Sequence, residues 1–512
     1  MKKKNIKLHP ALVLLFLTVF IMILSSIGSI LHLETSYYTV NSVTGSLERN
    51  IVTIKNLFNR TGIQYWISNM IPNFINFAPL GTIIVGLMGV GVAYKSGFLN
   101  ALFKLISKKV PKKVITFLVV LIGIISSMFF ETAYVIIIPL SAILFMNISR
   151  HPSGGICASY AGITFGYGAN IIVNGLDSIL LKYTQTATTI LDQTYTVSTW
   201  GNIILTIIST FVLAYVGMII TEKFIVAKLG RYTPSEEEEE SISKEITKKE
   251  TKGVIISLLT ILLTSLVLLY CLIPGLPFSG LLLDLKVDGY LNQLFGTTSY
   301  FNQGAVFIFS ALLILAGLVY GMRVKTIKNN RDLVNGMSYY LNSFSSIIVL
   351  IFFASQLCAI FKETNIGVFI TVSLTELLES LNLTGLLLIV VSFIIIIIST
   401  IFVPKTSTKW AIMSPVIVPQ FMRSSFSPEF AQAVYRAADS AIKGISPFFT
   451  YFAILIGFLQ IYNKKKNDVI TITDAMGLMT PYTIAFTITW LLIILGFYII
   501  GLPIGIGVRP ML

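Results

Sequence analysis

Apolar runs of about twenty residues recur along the whole chain, separated by short clusters of lysine and arginine. A run of that length is what an α-helix needs to cross the roughly 30 Å hydrocarbon core of a bilayer. No water reaches the backbone there, so each run must satisfy its own hydrogen bonds as a helix. Composition agrees: 55% of the 512 residues are apolar and 12% are charged, against about 25% charged in a soluble domain. Soluble enzymes, disulfide scaffolds and disordered chains are excluded. Cys157, Cys271 and Cys358 form no CxxC pair, and His9, His32 and His151 are scattered, so neither a metal centre nor a disulfide framework is expected. The net charge of +14 lies in loops between apolar runs. It marks topology rather than a nucleic-acid surface.

Lys2, Lys3, Lys4 and Lys7 precede the first run, Ala11 to Leu33, and put the amino end in the cytoplasm. That run exceeds the core of a cleaved leader, so a retained helix is expected. Residues 34–78 are polar and aromatic and are placed outside. A Gly-rich span, 80–97, returns to the cluster Lys104, Lys108, Lys109, Lys112 and Lys113. Residues 114–147 are apolar but interrupted near Ser126 to Thr132, with basic residues at both ends. An interrupted run with both ends on one side reads as a re-entrant hairpin, tolerated at depth only where protein or a cavity covers its tip.

Further spans are expected at 154–181, 203–225, 253–274, 302–321, 337–362, 430–461 and 476–503. A second interrupted stretch, 384–422, breaks near Thr400 to Thr408. Residues 364–383 read as an interfacial helix, and 228–252, with Glu236 to Glu240, as a cytoplasmic connector. The expected fold is therefore all-α and polytopic, about nine transmembrane helices plus two re-entrant hairpins, with the carboxyl end outside. Frame helices fall in 1–113, 182–383 and 462–512. A core is expected from 114–181 and 384–461, each a hairpin followed by a crossing helix.

The two hairpins share a register. Glu131-Thr132-Ala133-Tyr134 through Pro139 to Phe145-Met146 aligns without a gap on Ser407-Thr408-Lys409-Trp410 through Pro415 to Phe421-Met422. Loop charges orient the two copies oppositely. Inverted repeats with interrupted helices are the mark of secondary transporters, and no nucleophile, metal or cofactor chemistry suggests an enzyme. A passive channel is the alternative of another class.

Ionisable groups at membrane depth cost roughly 2.5–3.5 kcal/mol each at a helix centre, so they are kept for a function. The candidates are Glu131, Asp177, Lys405, Lys409, Arg436, Asp439 and Lys443. Arg436, Asp439 and Lys443 stand at i, i+3 and i+7, one helical face, expected to line a polar cavity. Glu131 and Lys405, at the two tips, are expected to pair near the midplane. Lys182 and Lys409 read as side chains reaching for an interface. Gly166-Tyr167-Gly168-Ala169-Asn170 suits either a sodium ion near Asn170 and Asp439 or helix packing through small residues.

Gly91-Val92-Ala93-Tyr94-Lys95-Ser96-Gly97, the stretch from Arg150-His151-Pro152 to Asp177, Lys409 to Pro415, Tyr435 to Ser440 and the closing Gly501-Leu502-Pro503 together resemble the AbgT family of transporters. The resemblance covers nearly the whole chain. It implies a homodimer in the bacterial cytoplasmic membrane, no resident cofactor, and transport of p-aminobenzoyl-glutamate or export of sulfonamide-type antimetabolites, driven by a cation or proton gradient. Functional positions carried over by the resemblance are Trp410, Pro415, Arg436, Asp439, Pro447 and Asp177. An aromatic dicarboxylate would meet a flat partner in Trp410 or Tyr134 and a forked cation in Arg436. Pro415 and Pro447 would free backbone carbonyls. Another small anion, such as a dicarboxylate, short peptide or fatty acid, is the alternative cargo.

The departures are specific. The family pattern Ser-Asn-Thr-Ala-Ser-Asp at the first tip is here Ser126 to Glu131, and Gly-Ser-Ala-Ser at the second is Pro404-Lys405-Thr406-Ser407. The Asn four residues after the aspartate is Lys443. An ammonium there would neutralise Asp439 in place of a sodium ion, leaving a proton on Glu131 or Asp177, or no coupling at all.

Overall fold

The computed structural model describes the chain apart from residues 1–7, 42–45, 235–238, 240–244, 297, 343 and 464–468. The amino-terminal lysines, Glu236–Glu238, Glu240 and Lys464–Lys466 therefore lie outside the described residues. Within them the chain is mostly helical, with almost no strand. Eight helices are long and apolar enough to cross a bilayer, or nine if 330–342 and 347–363, bent by 54°, form one span. The fold class expected from sequence is the one observed.

In chain order the principal helices are α1 (Pro10–Ile30), α2 (Arg60–Ile75), α3 (Pro79–Lys95), α4 (Phe98–Lys109), α5 (Lys112–Ser126), α6 (Ile138–Asn147), α7 (Pro152–Phe165), α8 (Gly175–Thr188), α9 (Ile203–Ile220) and α10 (Lys248–Tyr270). They continue as α11 (Tyr300–Val324), α12 (Asn330–Asn342), α13 (Ser345–Glu363), α14 (Ile366–Ser380), α15 (Gly385–Phe402), α16 (Thr406–Arg423), α17 (Pro428–Ile442), α18 (Phe452–Ile461) and α19 (Ile472–Ile500). The segment 34–78, expected only to be polar and external, holds an antiparallel hairpin of β1 (Glu34–Val40) and β2 (Leu47–Thr53), followed by α2. A helix expected at 364–383 is found as α14.

Both interrupted stretches turn back. The Arg150 guanidinium, just after α6, donates to Thr116 Oγ1 in the first turns of α5 at 2.7 Å and forks onto Glu222 beyond α9. The two ends of the first stretch are thus joined at one level. Gln420, near the end of the second stretch, donates to the Leu378 carbonyl at 3.2 Å, six residues before that stretch begins. The interruptions are a 3₁₀ turn at Ser127–Phe129 and a π turn at Ala133–Ile137 in the first, and residues 403–405 in the second.

Sequence reading missed two further breaks. The spans expected at 154–181 and 430–461 are not continuous helices. The first unwinds over 166–174, between α7 and α8, and the second over 443–451, between α17 and α18. Gly444 and Pro447 lie in the second break, and Ser446, the residue before the proline, is extended as proline's ring requires. Four broken elements therefore converge in the core.

Close backbone approach makes this possible. A Cβ on Gly162 of α7 would stand 2.5 Å from the Val120 carbonyl and 3.2 Å from Gly123 Cα of α5. Gly162→Ala is expected to cost about 1–3 kcal/mol by forcing these helices apart. The readout is a lowered melting temperature, with Gly496→Ala, where a Cβ meets nothing within 4 Å, as the unaffected control.

Candidate functional site

The site begins with how α8 and α17 start. Asn174 caps α8 and Asp177, three residues on, returns the bond: Asn174 Oδ1 accepts from the Asp177 amide, and Asp177 Oδ2 accepts from the Asn174 amide at 2.8 Å. This fixes the carboxylate, and its other oxygen accepts from Arg436 Nη1 of α17. Helix α17 opens with Ser427 as cap, Pro428 at its first position and Glu429 in its first turn, all favourable choices there. Every residue of α17 but its last is buried, so its polar groups must be satisfied inside the protein.

Arg436 is only partly satisfied. Its Nε and Nη2 are buried with no partner, beside a cavity of about 10 Å³ whose lining includes Asp177, Asn202, Gln432 and Ser198. That volume is about one water. In this conformation the pocket has room for little more than that, with a forked cation in its wall.

One and two turns further along α17 stands a second charged group. Asp439 is 1% exposed, Lys409 0% and Lys443 4%. Asp439 Oδ2 accepts from Lys443 Nζ at 2.7 Å and from Thr406 Oγ1 at 2.6 Å. Its Oδ1 accepts from Lys409 Nζ, which also donates to Thr400 Oγ1. Lys443 Nζ also donates to Thr406 and lies 4.3 Å from the centre of the Tyr167 ring. The tip of the second hairpin is thus docked on α17 by a two-ammonium, one-carboxylate cluster.

This corrects two expectations. Lys409 does not reach an interface; it is fully buried, because Asp439 and Thr400 supply what headgroups and water would otherwise supply. Glu131 and Lys405 do not pair. Lys405 precedes α16 and is exposed, whereas Glu131 is half-buried and hydrogen-bonded to the Tyr451 hydroxyl in the second unwound segment. The expected stripe of Arg436 and Asp439 on α17 and Lys443 just after it is buried but splits between two partners, Asp177 for the first and the hairpin tip for the others.

Trp410 and Tyr134, equivalent in the repeat register, occupy equivalent surroundings. Trp410 is stacked on Tyr435 with centroids 4.3 Å apart and donates to Thr184 Oγ1 at 2.9 Å. Tyr134 is stacked on Tyr451 at 4.1 Å, its hydroxyl 3.2 Å from Thr164 Oγ1. Each ring already has an aromatic partner, so each braces its hairpin in this conformation. Trp410→Phe is expected to lower stability by about 1 kcal/mol through the lost hydrogen bond, and Trp410→Ala by about 3–5 kcal/mol. Thermal melting of the two variants checks the ordering.

Pro415 lies inside α16, and the carbonyl it frees, that of Ala411, accepts from Thr39 Oγ1 of β1 at 3.1 Å. The β-hairpin therefore satisfies the carbonyl that the proline leaves free. Pro447 stands in the second unwound segment, where Tyr160 donates to the Gly444 carbonyl at 3.0 Å and Ser446 to that of Ile401 at 2.7 Å. Asn170 is buried in the first unwound segment, and its Oδ1 accepts from the Ile171 amide at 2.9 Å. Sequence reading missed Thr400, Thr406 and Tyr167 as members of the site. Only the polar interruption around the second tip signalled the two threonines.

The chain can now be set beside known proteins. The profile of the AbgT putative transporter family matches residues 3–512. The p-aminobenzoyl-glutamate transport protein of Escherichia coli (strain K12) is 30% identical over 508 residues, covering 98% of this chain and 94% of that protein. MtrF of Neisseria gonorrhoeae, of a class of antimetabolite efflux pumps, is 32% identical, with 98% of each chain covered and a TM-score of 0.50. The YdaH transporter of Alcanivorax borkumensis is 25% identical, with 98% of this chain and 100% of that one covered and a TM-score of 0.49. This chain is an integral membrane protein of the AbgT family, whose members are transporters and not enzymes.

Proposed function

We propose that the protein is a secondary carrier of small aromatic carboxylates, p-aminobenzoyl-glutamate or a related folate-pathway compound, working by alternating access. The observation that carries this reading is Arg436, buried with two unpartnered guanidinium nitrogens beside a water-sized cavity. A guanidinium edge is the donor geometry a carboxylate takes bidentately. The E. coli relative names a cargo with such carboxylates. Likeness to an antimetabolite efflux pump supports a second reading, export of sulfonamide-type compounds through the same pocket.

The mobile unit is taken to be the core, 114–181 and 384–461, moving against the frame. We place the protein as a homodimer in a bacterial cytoplasmic membrane, amino end inside and carboxyl end outside. No resident cofactor is called for. Coupling is assigned to a proton on Glu131, because Asp177 and Asp439 are each held by the chain's own cations. Glu131→Gln is then expected to abolish concentrative uptake driven by a pH gradient while leaving exchange of labelled for unlabelled substrate. Both are measured in proteoliposomes; equal loss of the two would count against the assignment.

The function itself is tested by uptake of labelled p-aminobenzoyl-glutamate into proteoliposomes. Saturable uptake, competed by unlabelled compound, is expected. Flux that rises linearly with concentration would indicate a channel, and stronger competition by a plain dicarboxylate, short peptide or fatty acid would redirect the cargo.

A further inference from the structure

A carboxylate at membrane depth ordinarily marks an ion or proton pathway. Asp439 is such a group, yet both of its oxygens are taken by side chains of the chain itself. We propose that the Lys443 ammonium is a resident cation, seated where a transported cation would bind at Asp439, so that the carrier runs without sodium. The proposal rests on the reading of the protein as a carrier and adds what that carrier does not take.

The shell around Lys443 Nζ is that of a small cation. A carboxylate oxygen lies 2.7 Å away, the Thr406 hydroxyl oxygen accepts a second bond, and the Tyr167 ring face covers a third side at 4.3 Å. Carboxylate and hydroxyl oxygens are the hard ligands alkali and alkaline-earth ions choose. Lys443 also follows the last residue of α17, where the helix dipole favours positive charge.

Charge gives the second reason. Lys409, Asp439 and Lys443 already sum to one net positive charge in a region 0–4% exposed. A sodium ion there would raise the sum to two without a counter-charge, and uncompensated charge is what a buried site tolerates least. The other oxygen considered for an ion, Asn170 Oδ1, already gives one of its two lone pairs to the Ile171 amide. Occupancy and charge thus exclude the ion together, and Lys443 is the group that supplies both effects.

The test needs no substrate. Melting of the purified protein is compared in sodium, potassium and choline chloride at equal ionic strength. Wild-type protein is expected to melt within about 1 °C in all three, and Lys443→Arg likewise, since a ligand that does not bind does not stabilise. Lys443→Asn, which puts an amide oxygen beside Asp439 and Thr406, is expected to gain about 3 °C or more in sodium over choline. In proteoliposomes the wild-type uptake rate should be the same in sodium and choline, and that of Lys443→Asn should fall about tenfold in choline.

Sodium-specific stabilisation of the wild type, sodium-dependent wild-type uptake, or a folded Lys443→Asn indifferent to sodium would each overturn the proposal. If Lys443→Asn does not fold, the wild-type comparison alone decides. A wild type indifferent to sodium in melting that also moves no p-aminobenzoyl-glutamate would refute the cargo reading and support this one.

Discussion

Asp439→Ala should be the most damaging single change in the protein, because it leaves two ammoniums facing each other in a region closed to water. Lys409 and Lys443 are 0% and 4% exposed, and each is hydrogen-bonded to this one carboxylate. Breaking a buried ion pair by removing one partner costs about 3–5 kcal/mol, mostly as the penalty of the charge left behind. Here two charges are left. The expected result is a fall in melting temperature of at least about 5 °C and loss of folded protein on purification. The triple change Asp439→Leu, Lys409→Met, Lys443→Met removes all the charge and keeps similar volume, so it should recover most of the lost stability. It should not recover uptake. A stable Asp439→Ala, or a triple variant as unstable as the single, would mean that the cluster is not the electrostatic unit described.

The reason this cluster was only half visible in the sequence is geometric. Spacing along one helix reveals Arg436, Asp439 and Lys443 as one face, because three and seven residues are helical periods. Lys409 lies 30 residues from Asp439, and no local pattern says that a hairpin tip will fold back onto α17. Its single charge beside a tryptophan fits an interfacial anchor equally well, so that reading was wrong for want of the partner. The two hairpins were legible because polar residues interrupt long apolar runs between basic flanks. The breaks at 166–174 and 443–451 were not, although Asn170, Asn174, Lys443 and Pro447 lie in them, because Ile171 to Val173 and Ile445, Phe448 and Phe449 keep each run apolar along its length. Arg150 marked the base of the first hairpin as a basic end, but its fork onto Glu222 joins residues 72 apart and belongs to packing alone. The Tyr134–Trp410 equivalence carried over best: a register read from three landmarks predicts rings with matching neighbours, and each is found stacked on a tyrosine and bonded to a threonine.

Arg436 separates recognition from stability, and two substitutions should pull the roles apart. Its Nη1 holds Asp177, whereas Nε and Nη2 are buried without partners beside the small cavity. Arg436→Lys keeps one positive charge for Asp177 but removes the planar fork. It is expected to leave melting nearly unchanged and to raise the KM for p-aminobenzoyl-glutamate about 10- to 100-fold, the worth of charge-assisted hydrogen bonds of about 1.5–3 kcal/mol. Arg436→Met leaves the buried Asp177 carboxylate, already fixed by its cap to Asn174, with no cation at all. That variant should lose about 3–5 kcal/mol of stability as well as uptake. Adding Asp177→Asn to Arg436→Met should return the stability, since an amide can serve the same cap without charge, and should leave uptake absent. Initial rates across substrate concentration and melting curves on the same preparations check all three. An Arg436→Lys carrier with wild-type KM would place carboxylate recognition elsewhere in the core, and the unpartnered nitrogens would then be served by water alone.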